Sequence, residues 1–191
     1  MLNTEQQNAI GYIDSPLLIL AGAGSGKTRV LTHKIASLIE KNIFLAHEIL
    51  AITFTNKAAK EMKDRCLSLL PSINSSPHIG TFHSFCLSIL KESFHHLGRS
   101  NQFVIYDSSS QRSLMTQLCK ELELDASKED IYRYLNQISQ LKNQFISPDS
   151  YASQSHSDLT LLSIYQRYQA LLLQNQAIDF DDMIMYSVEL F

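Results

Sequence analysis

Residues 16–28 read Pro-Leu-Leu-Ile-Leu-Ala-Gly-Ala-Gly-Ser-Gly-Lys-Thr, a short apolar run that leads into a glycine-rich turn. The run Pro16–Ala21 does not alternate with polar residues, which predicts a strand covered on both faces, as in a parallel sheet. The residues from Lys27 to Lys41 have the pattern of a helix. Strand, glycine-rich loop and helix in this order form the setting in which a loop binds phosphate groups.

The loop contains the residue types that phosphate binding requires. Its glycines let backbone N–H groups turn inward around anionic oxygens, and the new helix directs its positive end to the same place. Lys27 supplies a mobile charge for β- and γ-phosphates, and the Thr28 hydroxyl suits the Mg²⁺ that bridges them. Ala21 stands where the usual pattern begins with glycine. The alternative is a turn that only links strand to helix. We predict a phosphate site made of Ala21, Gly22, Ala23, Gly24, Ser25, Gly26, Lys27 and Thr28.

Strands and helices alternate through the first hundred residues. A second apolar run, 49–54, precedes a predicted helix at 56–70, and a short strand at 78–81 precedes a helix at 82–97. Residues 103–106 are a possible fourth strand. This alternation predicts an α/β fold with a parallel sheet.

The second half of the chain has a different composition. All six glycines precede residue 99, and apolar residues then recur at helical spacing, so we predict a helical subdomain at 107–178. Ser108 with Gln111 resembles a capping box, and Ser147-Pro148 a cap followed by proline in the first turn. Four tyrosines are predicted to pack between these helices: Tyr132, Tyr134, Tyr165 and Tyr168.

Charge and cysteine content exclude several classes of protein. The 191 residues have a net charge of -3, so bulk positive charge does not hold nucleic acid, although a local basic groove remains open. Three cysteines without a CxxC pair argue against a disulfide scaffold and a structural zinc site. No apolar run approaches the ~20 residues of a membrane-spanning helix. We therefore expect a cytoplasmic protein without a membrane partner.

Four motifs occur in the order of a known family. They are Leu2-Asn3-Thr4-Glu5-Gln6-Gln7 with AGAGSGKTRVLTHKIA at 21–36, AITFTNKAAKEM at 51–62, GTFHS at 80–84, and Asp179-Phe180-Asp181-Asp182. Together they resemble the N-terminal part of superfamily-1 DNA helicases of the UvrD/PcrA/Rep type, and are closest to the PcrA-like members.

The resemblance implies a domain organisation and an activity. Residues 1–106 would begin a RecA-like ATP-binding motor domain, 107–178 would be an inserted helical subdomain, and 179–191 would return to the motor domain. The implied activity is that of an ATP-dependent 3′→5′ DNA helicase. Its cofactors would be ATP and Mg²⁺, and its partners single-stranded DNA and duplex junctions. The pathway and the protein partners stay open.

The resemblance also assigns nucleotide contacts outside the loop. Gln6 would read the adenine edge, and Arg29 would lie beside the base. The residues alone leave other interpretations open, namely a solvated side chain for Gln6 and an exposed helix charge for Arg29.

DNA contacts are implied at two places that follow predicted strands. Phe54 would stack on a base, and the polar residues after it would meet phosphates. The alternatives are a core position for Phe54, a capping role for Asn56 and a packed or capping role for His83. The full set of implied DNA contacts is Phe54, Thr55, Asn56, Lys57, Thr81, Phe82 and His83. Asp179, Asp181 and Asp182 are predicted to be structural acids at a helix start, not ligands of Mg²⁺.

The family's Asp-Glu strand and its second motor domain are expected beyond Phe191. The 191 residues alone are therefore expected not to hydrolyse ATP. Two further functions stay open, the helicase module of a helicase–nuclease and a nucleotide-gated DNA-binding module without motor activity.

Overall fold

A computed structural model describes residues 2–71, 76–153 and 158–191. The chain divides into two compact units, Met1–Phe82 and His83–Phe191. Each unit combines helices with a two-stranded parallel sheet, so the predicted mixture of helices and parallel strands is confirmed. Residues 72–75 and 154–157, which fall within the predicted motor and helical ranges, lie outside the described residues.

The first unit is built around two parallel strands and the helices beside them. Strand β1 pairs with β2 so that Thr53 lies opposite Thr81. The core of this unit contains Ile35, Met62 and Cys66, and the half-buried Ala51 and Ile79 of the strands pack against it. Its elements are α1 (Thr4–Gly11), α2 (Lys27–Glu40), a 3-10 turn (Ala46–Glu48), β1 (Leu50–Thr53), α3 (Asn56–Leu69) and β2 (His78–Thr81).

Polar contacts join helix α1 to α2, and none of the residues of α1 is fully buried. Lys34 of α2 donates from Nζ to Ala9 O at 3.0 Å and also to Tyr12 O. A cation at this position satisfies carbonyls at the end of α1 and suits the negative end of the helix.

The predicted strand at Pro16–Ala21 is wrong. The segment is outside both sheets, and the side chains of Leu18 and Leu20 are 80% and 87% exposed. A strand is defined by hydrogen bonds to a neighbour. Within the described residues, the sheet of this unit consists of β1 and β2 alone, and the run pairs with neither of them.

The second unit is mainly helical, and most of it is the stretch after Gly98 that has no glycine and was predicted to be helical. Helices α5 to α8 enclose a core in which Met115, Leu118, Ile164, Tyr165 and Tyr168 are completely buried. The elements of this unit are α4 (Phe82–Ser93), a 3-10 turn (Phe94–Leu97), β3 (Val104–Ile105), α5 (Ser108–Glu121), α6 (Lys128–Asn143), α7 (Pro148–Ala152), α8 (Leu159–Gln174), β4 (Ala177–Ile178) and α9 (Phe180–Glu189).

Two helix starts in this unit test the capping predictions. Ser147 caps α7 with Pro148 in the first turn, which confirms that prediction. Helix α5 is capped by Asp107 and not by Ser108, because Asp107 Oδ1 accepts from Ser110 N at 2.8 Å. This bond to the charged form lowers the pKa of the Asp107 carboxyl.

The predicted packing of the tyrosines is correct except at one position. Tyr165 and Tyr168 are completely buried, and Tyr134 is half-buried against the same core. Tyr132 is 51% exposed and lies under the guanidinium of Arg112, whose Cζ is 5.8 Å from the ring centroid. Its position on α6 turns it away from the stripe of Ile131 and Ile138.

Lys142 of α6 is a fully buried cation that contacts two carboxylates. Its Nζ donates to Asp179 Oδ2 at 2.6 Å and lies 2.8 Å from Asp182 Oδ1. From α8, the Tyr168 hydroxyl donates to Asp179 Oδ2 at 3.1 Å, and Gln169 Nε2 donates to Asp182 Oδ1 at 3.2 Å. One buried ammonium therefore connects α6, α8 and the start of α9.

The same two carboxylates form the capping box of α9. Asp182 N donates to Asp179 Oδ1 at 2.8 Å, and Asp179 N donates to Asp182 Oδ2 at 3.3 Å. Two carboxylates around one ammonium leave an excess negative charge in a buried site. Burial raises the pKa of Asp182, and the nearby Lys142 opposes this shift without cancelling it.

None of the helices in the described part of the chain is long and apolar enough to cross a bilayer.

Replacing Lys142 should be much more harmful than neutralising Asp182. Lys142→Met should lower the free energy of unfolding by about 3–5 kcal/mol, because it leaves two buried carboxylates without their cation. Asp182→Asn should cost less at pH 7, since it removes the excess charge and keeps an oxygen that accepts from Lys142 and Gln169, and it loses only the 3.3 Å bond from Asp179 N. Urea denaturation of the wild type and both variants measures the difference.

The pH dependence follows from the direction of the Asp182 shift. The pKa is higher in the folded chain than in the unfolded chain, so the folded chain takes up this proton first as the pH falls. The stability of the wild type relative to Asp182→Asn should therefore rise as the pH is lowered from 7 through the raised pKa. A pH-independent difference between the two, or equal stability of Lys142→Met and the wild type, contradicts this account.

Candidate functional site

The predicted phosphate loop lies between residues 16–20, which belong to neither sheet, and helix α2, in the first unit. Gly24 and Gly26 have φ angles of 75° and 86°, in the left-handed region that favours glycine. Gly26 is the N-cap of α2, which begins at Lys27. The glycines are thus required by the backbone path that brings the loop into the helix.

The side chains of the loop fold back onto its own carbonyls. Lys27 Nζ donates to Ala21 O at 2.9 Å and to Gly22 O at 2.7 Å. Ser25 Oγ donates to Gly22 O at 2.7 Å. These bonds hold the ammonium group inside the curve of the loop, where a phosphate oxygen would meet it.

The start of α2 offers further donors at the same place. The first N–H groups of a helix have no partners within the helix, and a glycine cap provides no side chain to accept from them. The half-buried Thr28 is the second residue of this turn. Backbone donors and an ammonium suit phosphate oxygens, and a hydroxyl at this position could hold the Mg²⁺ that accompanies them.

Gln6 connects helix α1 to the loop. Its Oε1 accepts from Asn3 N at 3.0 Å, and its Nε2 donates to Ser25 O at 3.1 Å. Asn3 Oδ1 in turn accepts from Gln6 N at 2.8 Å, which completes a capping box at the start of α1. Gln6 is therefore not simply solvated. The cap at Asn3 was not predicted, although Asn followed three positions later by Gln matches the capping-box pattern.

A cavity of about 200 Å³ opens between α1, the residues just before the loop and the loop itself. Ligand pockets that enclose a whole small molecule measure ~300–1,000 Å³, so this one has room for part of a nucleotide. Arg29 is exposed on the first turn of α2. The cavity is lined by Asn3, Glu5, Gln6, Ala9, Ile19, Leu20, Ala21, Ser25, Lys27 and Val30.

A second group of predicted residues lies at the carboxyl ends of β1 and β2. Because Thr53 and the half-buried Thr81 are paired, the residues that follow them leave adjacent strands at the same edge. Phe54 is 95% exposed and Phe82 is 54% exposed. The interpretation of Phe54 as a core residue is wrong, and two aromatic rings are accessible at one sheet edge.

The polar residues after Phe54 begin helix α3. Thr55 is the N-cap and accepts from Ala58 N at 3.1 Å, so the predicted capping role of Asn56 belongs to Thr55. Asn56 and Lys57 are exposed in the first turn. A lysine there lies at the positive end of the helix, an arrangement that lowers helix stability and suits an anion beside it.

His83 is the first residue of the second unit and is half-buried. Its ring meets the edge of Phe180 at a centroid distance of 5.7 Å and an angle of 84°. Asp179 and Asp182 serve the cap of α9 and Lys142, in line with the predicted structural role of these acids. Within the described residues, no group of three or more His, Cys, Asp or Glu side chains forms a metal site.

Residues 2–191 match the family described as the UvrD/REP helicase N-terminal domain. The chain belongs to this family. The match covers all of the described residues, and the predicted family is confirmed.

The curated relatives agree with this assignment. Over 192 residues the chain is 44% identical to the ATP-dependent DNA helicase PcrA of Bacillus subtilis (strain 168). It is 42% identical over 193 residues to the protein of the same name from Leuconostoc citreum, and 41% identical over 193 residues to that from Staphylococcus aureus (strain Mu50 / ATCC 700699). Each match covers 100% of this chain and 26% of the relative, so the chain spans about a quarter of the length of these helicases.

Alanine at Gly26 should be more damaging than alanine at Gly24. Both substitutions place a side chain at a positive φ, which destabilises by more than ~1 kcal/mol. A Cβ at Gly26 would also lie 3.3 Å from Gln6 Nε2 and press on its bond to Ser25, whereas a Cβ at Gly24 meets nothing within 4 Å. Thermal melts of Gly24→Ala and Gly26→Ala measure the difference, and in a Gln6→Ala background the difference should disappear.

Gly11→Ala is the control, because a Cβ there meets nothing within 4 Å and its φ is not positive. It should raise stability by ~0.5–1 kcal/mol, the usual gain of alanine over glycine in a helix. Equal melting temperatures for Gly24→Ala and Gly26→Ala contradict the assigned contact with Gln6.

Proposed function

We propose that these residues form the first part of an ATP-dependent DNA helicase that moves 3′→5′ on single-stranded DNA and unwinds duplex DNA. The observation that carries the proposal is the phosphate loop, in which two left-handed glycines place Lys27 and the start of α2 around one point. The relatives named above are ATP-dependent DNA helicases. The helicase activity is proposed for a protein as long as these relatives. This chain would provide its nucleotide-binding site.

In this proposal ATP phosphates lie in the loop from Ala21 to Thr28, including Gly22, Ala23, Gly24 and Ser25. Lys27 exchanges its bonds to the carbonyls of Ala21 and Gly22 for bonds to the β- and γ-phosphates. Thr28 would hold Mg²⁺ through its hydroxyl, and the ion would supply positive charge that offsets the charge of the phosphates. The cavity beside Gln6 takes the base, and Arg29 lies at its border.

Single-stranded DNA is proposed to lie along the edge formed by the ends of β1 and β2. The rings of Phe54 and Phe82 supply faces for base stacking, and Asn56 and Lys57 contact phosphates at the start of α3. Thr55 adds its backbone, since its hydroxyl caps α3. The resemblance implies DNA contacts for Thr81 and His83 as well.

The proposed domain organisation is a RecA-like motor domain with an inserted helical subdomain. The parallel pair of β3 and β4 supports it, because Val104 lies opposite Ala177 and Ile105 opposite Ile178. The chain therefore leaves and re-enters this small sheet at neighbouring positions, and the residues between them form the helices α5 to α8. Such a return path is what an insertion at 107–178 needs.

Nucleotide binding should depend on Lys27. A fluorescent ATP analogue with Mg²⁺ should bind Lys27→Ala roughly 10- to 150-fold more weakly than the wild type, since a hydrogen bond to a charged group contributes ~1.5–3 kcal/mol. Lys41→Ala, an exposed lysine at the other end of α2, is the matched control and should bind normally. Equal affinity of the wild type and Lys27→Ala contradicts the proposal. The 191-residue wild type, Lys27→Ala and Lys41→Ala should all release phosphate at a negligible rate. An arginine finger contributes ~10³–10⁵ in rate, and we expect it to come from a second motor domain.

DNA binding should depend on the two exposed rings at the sheet edge. Phe54→Ala and Phe82→Ala should each weaken the binding of labelled oligothymidine by ~1–3 kcal/mol per lost base stack, measured by anisotropy at low salt. The fold should persist because both side chains are exposed. Phe44→Ala is the control, since Phe44 is an exposed ring ahead of β1, away from the carboxyl ends of the strands.

Lys57→Glu separates charge from stacking in the same experiment. The acid favours the positive end of α3, so the melting temperature should not fall. The affinity should fall, and the salt dependence should flatten by roughly one phosphate contact. If Phe54→Ala and Phe82→Ala bind like the wild type while Lys57→Glu does not, the edge binds the backbone only and the stacking assignment is wrong.

A further inference from the structure

In the part of the chain that the structure describes, four residues other than glycine have a positive φ angle, and each follows the C-cap of a helix. They are Asn42 after α2, Glu123 after α5, Phe145 after α6 and Gln176 after α8. Glycine is the usual residue at this position, because any other side chain is strained in the left-handed region. Three of the four residues are polar, and Phe145 is the exception.

Phe145 ends α6 with the hydrogen bonds of a Schellman motif. Phe145 N donates to Lys142 O and Ile146 N donates to Leu141 O, both at 2.9 Å. These bonds hold Phe145 at a φ of 57°, where a bulky residue is uncommon. The backbone therefore disfavours a phenylalanine here, and 50% of the residue is still exposed. Strain of this kind is typical of residues that bind a ligand.

The end of α6 lies beside the start of α9. Asn143 Nδ2 donates to Asp181 Oδ1 at 3.4 Å. Phe180, the residue before Asp181, is exposed, and its ring meets that of His83 at a centroid distance of 5.7 Å. The exposed rings of Phe145 and Phe180 therefore flank one contact between the two helices, and His83 of the proposed DNA site adjoins one of these rings.

The groups around Phe145 suit bases better than phosphates. Acidic residues outnumber basic ones in His83–Phe191, which disfavours contact with a phosphate backbone. Aromatic faces bind bases of any sequence by stacking. The exposed amide of Gln144, next to Phe145, can donate to a base edge and accept from it. Unpaired bases are available for such contacts in a single strand.

We propose that Phe145 is a further DNA-binding residue, on whose ring a base of the single strand stacks. The inference rests on the proposed function, because it extends the proposed DNA site from His83 past Phe180 to the end of α6. The strained backbone holds the ring at the surface, where the strand passes. Phe145 contributes stacking and no phosphate contact.

The test compares Phe145→Ala with Phe145→Gly. Both remove the ring, so each should weaken the binding of labelled oligothymidine by about 5- to 150-fold, the loss of one base stack. Only glycine also relieves the positive φ, so the melting temperature of Phe145→Gly should be ~2–4 °C above that of Phe145→Ala. Equal losses of affinity at unequal stability support the proposal. A loss of affinity in Phe145→Ala that Phe145→Gly restores overturns it.

Two matched controls share the position of Phe145 but not its ring. Glu123 and Gln176 are exposed residues of the same unit, each with a positive φ after a helix. Glu123→Ala and Gln176→Ala should bind oligothymidine no more weakly than the wild type. The salt dependence of binding by Phe145→Ala should equal that of the wild type, because no phosphate contact is lost. A loss of affinity in Gln176→Ala as large as that in Phe145→Ala contradicts a specific role for the ring.

A fluorescent substitution reports on stacking directly. The chain contains no tryptophan, so Phe145→Trp introduces a single reporter. Its emission should be quenched when oligothymidine stacks on the ring, whereas the emission of Phe44→Trp should not change. Unchanged emission of Phe145→Trp at saturating oligothymidine overturns the proposal.

The outcomes also distinguish this inference from the proposed function. If Phe54→Ala, Phe82→Ala and Phe145→Ala all bind oligothymidine like the wild type, the proposed DNA site and this inference both fail. If Phe54→Ala and Phe82→Ala weaken binding and Phe145→Ala does not, the DNA site stands and the role of Phe145 fails.

Discussion

The helical unit depends on one buried ammonium group. Lys142 brings together two carboxylates from the cap of α9 and, through them, a phenol and an amide from α8. An isolated charge in such a place is costly, and pairing and hydrogen bonding offset much of that cost. Burial also raises the pKa of Tyr168, so its hydroxyl stays protonated and can donate to Asp179. The position of α9 relative to α6 and α8 is thus specified by polar bonds that have few alternative arrangements.

A different constraint organises the first unit. Two parallel strands in register must end side by side, so the residues immediately after them are brought to one edge, regardless of the helices beyond. Thr53 and Thr81 are such paired ends, and each is followed by an exposed phenylalanine. The phosphate loop achieves a similar convergence by backbone conformation, since Gly24 and Gly26 turn the chain so that the donors of α2 and the Lys27 ammonium meet.

Local patterns in the sequence predicted those elements whose formation depends mainly on neighbouring residues. The helices, the cap at Ser147 and the short strand at 78–81 follow from apolar periodicity, capping residues and glycine positions. The run at Pro16–Ala21 was predicted wrongly because a strand needs a partner, and pairing is not encoded in the run itself. The partnership of Lys142 with acids 37 and 40 positions later was equally out of reach. Helix α6 was predicted correctly, but Tyr132 follows the buried Ile131 and so lies outside the apolar stripe. Its predicted packing between helices was therefore wrong.

The charged residues at the helix starts differ between helices at the proposed sites and helices elsewhere in the chain. Carboxylates favour the positive end of a helix, and cations there are destabilising. In the described part of the chain, helices α2, α3 and α4 have no acid at the cap or in the first turn, and Lys27 and Lys57 stand at the first two of these starts. These are the helices that follow the phosphate loop, β1 and β2. The remaining helix starts carry Glu5, Asp107, Glu129 with Asp130, Asp149, Asp158, and Asp179 with Asp181 and Asp182. At a helix start away from the proposed sites, Asp or Glu side chains provide the negative charge that stabilises the positive end of the helix. At a helix start beside a proposed phosphate, the phosphate would provide that negative charge instead of an Asp or Glu side chain. The helix starts that lack a stabilising acid are therefore those at the proposed sites.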